Sequence, residues 1–359
     1  MLAFPGISFY FSRVFVQIHL IYFKSNQYKT MLMKKVFRVL IILIVGLIVV
    51  AGGGMAYVMS AYPKADPPPE LKVELTPERI ERGKYLANHV MLCMDCHAER
   101  DWSLFAGPPK QGTQGSGGDR FDQTMGFPGV FYSRNITPAG IGNWSDGELY
   151  RLITTGVTKD NEVIFPVMPY NNYAKCDPED IKAVIAYLRS IPAIDKKNEV
   201  SSADFPLNII LRTMAAKHEP QTIPAKTDLV AYGKYVATAA SCNECHTAVD
   251  DKGNFIGITY AGGREFHFPD GTIERSANIT PHPTSGIGNW TEEYFISRFK
   301  EQVDSANHAK AVPVKDFQSI MPWGMYGGMD SLDLKAIYAY LRSQDPVDNK
   351  VVKITPPSK

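Results

Sequence analysis

Two pentapeptides carry side chains whose types and spacing can do chemistry: Cys93-Met94-Asp95-Cys96-His97 and Cys242-Asn243-Glu244-Cys245-His246. In C-x-x-C-H the two thiols are spaced to add across the vinyl groups of a haem, and the adjacent imidazole reaches the iron. A bare C-x-x-C has other readings, a redox dithiol or half of a zinc site. Both copies here keep the following histidine and sit inside longer repeated segments, which favours two covalently bound haem c groups. Cys176 is the one cysteine the motifs do not use, and it reads as a packed, inert thiol.

An iron held by His97 or His246 needs a sixth ligand, or an open face if it is to bind substrate. Met168 and Met321 occupy equivalent repeat positions, each followed by a proline that stiffens the loop presenting a thioether. A lone methionine in a helical protein is usually core filler. The paired position makes Met168 and Met321 the expected axial ligands. Met325 and Met329 are weaker, because their counterparts are Asn172 and Cys176; His89, His218, His267, His282 and His308 have no counterparts and read as surface or satisfied polar residues. His/Met ligation raises the reduction potential and fills both axial positions, which favours one-electron transfer over catalysis at iron.

These residues must be positioned by the elements around them, and those elements recur. Gly117-Gly118-Asp119-Arg120-Phe121 answers to Gly262-Gly263-Arg264-Glu265-Phe266, and Asn135-Ile136-Thr137-Pro138 to Asn278-Ile279-Thr280-Pro281. Gly140-Ile141-Gly142-Asn143-Trp144 returns intact as residues 286–290. Trp144, Trp290, Asn135 and Asn278 have two equal readings: walling a haem pocket and bonding a propionate, or packing loops. Residues 168–190 align without gaps on 321–343, ending in Ala-Tyr-Leu-Arg-Ser in both. Ile181, Val184, Ile185 and Leu188 fall at i, i+3, i+4 and i+7, the apolar face of a closing helix, matched by Leu334, Ile337, Tyr338 and Leu341. Thr76-Pro77-Glu78 has the form of a helix start, and Ser145 with Glu148 that of a capping box. No β-alternation competes, so the pattern predicts an all-α protein with two tandem haem domains.

C-x-x-C-H early, Met-Pro late and flanking helices resemble class I cytochrome c. The finer motifs resemble the cytochrome subunits of membrane-bound bacterial alcohol, gluconate and sorbitol dehydrogenases, over residues 76–345. The resemblance implies Cys93, Cys96, His97 and Met168 around one haem, and Cys242, Cys245, His246 and Met321 around the other. It also implies electron relay between a periplasmic dehydrogenase and a quinone or oxidase. Those subunits usually carry three haem domains, against two here, and this chain adds an N-terminal span.

Residues 39–59 contain no charge, and 21 residues at ~1.5 Å each give roughly 31 Å, enough to cross the hydrocarbon core. Lys34, Lys35 and Arg38 precede the run, which keeps that end cytoplasmic and places the remainder outside. A cleaved signal at the weak Val58-Met59-Ser60 site is the lesser reading; an uncleaved single-pass anchor in a bacterial inner membrane, haem domains in the periplasm, is expected. The expected organisation is residues 1–30 as an upstream extension before a start at Met31 or Met33, and 31–60 as the anchor. A Pro-rich spacer (61–75), a first haem domain (76–195), a linker with a short helix at the domain junction (196–226), a second haem domain (227–346) and a loose tail (347–359) follow.

With 359 residues, a net charge of +1 and no basic stripe, nothing suggests a nucleic-acid partner. The expected function is a membrane-anchored dihaem electron carrier, not itself an enzyme, with a redox partner that is a dehydrogenase subunit, an oxidase or a small cytochrome. A dihaem peroxidase-like enzyme is the rival, and the paired Met-Pro loops argue against it. A haem-based sensor would want a signalling domain, which is not evident in the sequence.

Overall fold

A computed structural model describes residues 7–250, 253–303, 310–312 and 318–357. His308 therefore lies outside the described residues.

The chain divides into two compact units, Met1–Ala61 and Tyr62–Lys359. In the first, a single α-helix runs from Ile7 to Ala61. Its stretch Ile21–Ala61 has a window of mean hydropathy 2.8 with nothing buried inside the protein, so length and composition suffice to cross a bilayer. The helix passes without a break through residues 30–38. It stops before Pro63, whose ring disfavours helical geometry at Tyr62.

The second unit takes most of its regular structure as helices joined by long loops, and is built from two copies of one plan. In the first copy, helices Pro77–Tyr85, Asp146–Thr155 and Pro178–Ser190 surround the core. In the second copy the corresponding helices are Leu229–Ala239, Glu292–Lys300 and Ser331–Arg342. The expected caps form. Thr76 accepts from the Arg79 N–H at 3.3 Å, Ser145 and Glu148 close a capping box, and Thr291 accepts from the Tyr294 N–H at 3.1 Å.

Opening and closing helices cross at a glycine in each copy. A Cβ on Gly83 would lie 1.8 Å from the Ala183 carbonyl oxygen, and one on Gly233 would lie 1.8 Å from that of Ala336. Only glycine permits this backbone approach.

The two copies share one continuous core. Leu86, Met94, Ile181 and Val184 from the first pack in the same cluster as Tyr232, Leu334, Ile337 and Leu341 from the second. Two carboxylates lock them together with approximate two-fold symmetry. Asp333 accepts from Tyr232 of its own copy (2.8 Å) and from Tyr85 of the other (2.6 Å). Asp180 accepts from Arg82 of its own copy (2.8 Å) and from Tyr235 of the other (2.7 Å). The Asp330 and Asp177 N–H groups donate to the same two cross-copy phenols, Tyr85 and Tyr235, at 3.0 and 3.1 Å.

Three expectations are corrected. First, small antiparallel sheets accompany the helices. Arg120–Phe121, Gly129–Tyr132 and Ser202–Ala203 form one; Glu265–His267, Ile273–Arg275 and Ile354–Thr355 form the other. Strands of two to four residues are too short to register as alternation.

Second, the segment after each closing helix is a strap rather than a linker or loose tail, because its backbone completes the sheet of its own copy. Residues 202–203 pair with Gly129 and Val130, and residues 354–355 with Ile273 and Glu274. The expected junction helix is two short turns, Leu207–Ile210 and Leu211–Met214. They run beside the first copy, where the Ala216 N–H donates to the Thr155 carbonyl (2.9 Å).

Third, residues 62–75 pack on the first copy rather than standing free as a spacer. The Val73 N–H donates to Asp146 (2.8 Å), and the Pro69 carbonyl lies where a Cβ on Gly147 would point.

Candidate haem sites

Each C-x-x-C forms one helical turn, Cys93–Cys96 and Cys242–Cys245. The residue before each turn, Leu92 or Ser241, adopts the same left-handed conformation (φ 55°, ψ 31°), which folds the chain sharply out of the opening helix. This backbone costs free energy in a non-glycine residue. Its duplication argues that the turn must be presented in one orientation. The turns close through the His97 N–H to the Cys93 carbonyl (2.9 Å) and the His246 N–H to the Cys242 carbonyl (3.0 Å).

Each histidine ring is oriented the same way. His97 Nδ1 lies 2.6 Å from the Arg134 carbonyl oxygen and His246 Nδ1 2.7 Å from that of Ala277. A carbonyl can only accept, so Nδ1 carries the proton and Nε2 keeps its lone pair. Burial pulls both imidazoles below their ordinary basicity, with the carbonyl acting in the opposite sense, so the rings are neutral donors.

The first glycine of each Gly-Gly pair makes this geometry. Gly117 and Gly262 donate their N–H to the His97 and His246 carbonyls at 3.0 and 2.8 Å. A Cβ there would press within 2.5 to 2.6 Å of the Arg134 or Ala277 peptide whose oxygen the ring needs. The sequence flagged this motif but not its role. Its signal was a repeated Gly-Gly at a fixed place after the motif, paired with an Asn-Ile-Thr-Pro loop that immediately follows the carbonyl.

Cys93, Cys96 and Cys242 are half-buried and Cys245 is exposed; desolvation raises all four thiols, those of Cys93 and Cys242 to about 12. Among the described residues, no group of three or more His, Cys, Asp and Glu comes together to hold a metal ion.

Met168 and Met321 begin equivalent loops. Their carbonyls accept from the Tyr170 and Trp323 N–H at 2.7 and 2.8 Å, opening the short helices Tyr170–Tyr173 and Trp323–Gly327. A tyrosine at the matching place in each helix latches the loop to the chain just before the cysteines. Tyr173 donates to the Met91 carbonyl (2.6 Å) and Tyr326 to that of Ala240 (2.7 Å). Each methionine loop is thus tied to the cysteine turn of its own copy, and the Met168 side chain packs half-buried against the shared core.

Met325 is placed differently. Its carbonyl lies 3.0 Å from His89 Nδ1, and it lines a cleft with Asp95 and Phe105 of the first copy. Its counterpart Asn172 reaches the opposite way, donating to Glu244 at 3.2 Å. Both positions belong to the contact between copies.

Asn135 and Asn278 both bond loop backbone. Asn135 donates to the Ile194 and Lys196 carbonyls and accepts from Thr137; Asn278 donates to the Val347 carbonyl and accepts from Thr280. Their polar groups are occupied in tying each strap down. The Trp144 and Gly288 carbonyls accept from Arg189 and Arg342 of the closing helices, and both tryptophans pack against the core. His218 pairs with Tyr150 (3.1 Å) and His282 with Ser285 (2.8 Å), while His267 lies near Glu265 at the surface. Cys176 is 2% exposed, its thiol pushed up to about 12 by burial, an inert packed group.

No family model matches the chain. The fructose dehydrogenase cytochrome subunit of Gluconobacter japonicus is 28% identical over 279 residues, 74% of this chain and 52% of that protein. The gluconate 2-dehydrogenase cytochrome c subunit of Pantoea cypripedii is 28% identical over 233 residues, 60% of this chain and 49% of that protein. The chain spans about half the length of these curated relatives. A diheme cytochrome c-type protein of Cereibacter sphaeroides is 30% identical over 266 residues, 70% of this chain and 81% of that protein. Similarity across most of that protein, together with a duplicated C-x-x-C-H turn and a duplicated histidine–carbonyl bond, means that the chain belongs to the dihaem c-type cytochromes.

Proposed function

We propose that this chain binds two haem c groups and relays single electrons. Cys93 and Cys96 form the thioethers of the first and Cys242 and Cys245 those of the second. His97 with Met168, and His246 with Met321, are the axial ligands. The residues fit the group: two thiols one helical turn apart, an imidazole beside them whose free Nε2 is fixed by a backbone bond, and a thioether loop latched to the same turn. Haem c supplies a one-electron couple when bound. The chain's own part is to hold the two imidazoles in one orientation and to set Cys93 and Cys242 against the apolar core. The observation that carries this reading is the repetition of the histidine–carbonyl bond, at 2.6 and 2.7 Å, in two copies with different surrounding sequence.

Residues 76–195 and 227–346 are read as the two haem domains, docked through one core. The helix Ile7–Ala61 serves as a single-pass anchor, and the basic residues before its uncharged run put the haem domains in the periplasm. The relatives that are fructose and gluconate dehydrogenase cytochrome subunits support a dehydrogenase as donor; a quinone or oxidase is the acceptor in this reading.

Pyridine haemochrome quantitation should give two haems per chain, and Cys93→Ala with Cys96→Ala should leave one. In the ferric protein, Met168→Ala should remove half of the far-red sulfur-to-iron band and convert the first haem alone to a high-spin or hydroxide-bound form. Met321→Ala should do the same to the second, and Met325→Ala should leave the band intact. A full band in Met168→Ala would mean that Met168 is core filler and would reopen a peroxidase-like reading.

A further inference from the structure

Two apolar side chains of residues 205–214, Phe205 and Ile210, face solvent, while Leu207, Ile209, Leu211 and Met214 between and beside them are half-buried. Phe205 is 77% exposed and Ile210 48%. The two short turns Leu207–Ile210 and Leu211–Met214 keep the segment compact, and its far end is pinned where Ala216 donates to Thr155. Asp204, the acidic residue at its start, is engaged by Gln123 (3.0 Å).

Arg212 fixes this segment to a particular point in the chain. Its Nε and Nη2 donate to the Tyr62 carbonyl at 3.2 and 2.7 Å. Tyr62 directly follows Ala61, where the long apolar helix ends, and stands three residues after Met59, the last of the uncharged run. Chain length alone keeps Tyr62 within about 11 Å of that run, at ~3.6 Å per residue. Lys64 lies over the Tyr62 ring, 5.1 Å from its centroid, and a tyrosine with a lysine at this depth matches the composition of a bilayer interface.

We infer that residues 205–214 form a second membrane contact, an interfacial segment that inserts Phe205 and Ile210 among lipid head groups beside the exit of the anchor. Apolar side chains on such segments reach ~5–10 Å into the boundary while a basic residue stays at its polar edge, the place of Arg212. The inference rests on the anchor reading. It makes the attachment two-point.

The test uses the full-length, haem-loaded Cys176→Ala protein in vesicles of phosphatidylethanolamine and phosphatidylglycerol, with a nitroxide at Asn208→Cys. Collision of the label with oxygen should exceed collision with a nickel chelate, and the oxygen-to-nickel ratio should be several-fold higher than at Val352→Cys, which is 68% exposed in the second copy. Adding Phe205→Asp and Ile210→Asp should drop the ratio at residue 208 to the value at 352, with the Soret band unchanged. Equal ratios at 208 and 352 in vesicles would overturn the inference while leaving the anchor intact, and would leave the patch for a protein partner. Release of the chain from vesicles by carbonate would remove the anchor reading, and the second contact with it.

Discussion

The two copies agree to within two tenths of an ångström where they present histidine and differ where they meet each other. Both use φ 55°, ψ 31° before the cysteine turn, a glycine under a crossing carbonyl, and a tyrosine latch from the methionine loop. The first copy, however, has one residue more between Gly83 and Cys93 than the second has between Gly233 and Cys242. The extra residue is absorbed as a π-helical turn, Leu86–Val90. A π-bulge is how a helix takes a single insertion without losing register on either side. It carries His89, whose ring meets the Met325 carbonyl of the second copy. The buried carboxylates diverge too: Asp180 is paired with Arg82, whereas Asp333 is held by two phenols. The elements that would hold a cofactor are thus kept the same, while those that join the copies are specialised.

The largest effect should come from the shared crossing. Gly83→Ala and Gly233→Ala each push a methyl into a backbone carbonyl, and separating the helices should cost about 3 kcal/mol or more in denaturant unfolding. Because one core joins the copies, either substitution should unfold the Tyr62–Lys359 unit in one transition. Two separate transitions would show that the copies are energetically independent. Next is a position where the copies differ. Met329, 1% exposed, and Cys176 are counterparts. Met329→Ala should cost about 3 kcal/mol by the cavity it leaves, and Cys176→Ala about 1 kcal/mol. Equal costs would mean the second core collapses around the loss. The sharpest concerns the two-fold lock. Tyr85→Phe and Tyr235→Phe each remove one bond to a buried carboxylate and should cost about 1.5 kcal/mol apiece. A much larger value for Tyr85 would reveal that Asp333, lacking the arginine that serves Asp180, depends more on its phenols.

The sequence by itself determined the cysteine turns, the paired methionine loops, the helix caps and the apolar faces, because each is written in residues within a few turns of one another. Ser145 with Glu148 and the spacing of Ile181, Val184, Ile185 and Leu188 are signals of this local kind, and the helices appear where they point. Repetition supplied the rest of that legibility, since two matching segments turn a weak motif into a strong one. Only the tertiary structure decided which carbonyl orients each histidine, that Gly117 and Gly262 clear the space for it, and that Asn135 and Asn278 bind straps. It also decided that the copies share one core and that residues 202–203 and 354–355 close sheets. These pairings join residues tens to hundreds of positions apart, and the strands are too short to carry a period. A backbone carbonyl leaves no mark in the side-chain sequence, so the partner that fixes each imidazole can be read only after the chain has folded around it.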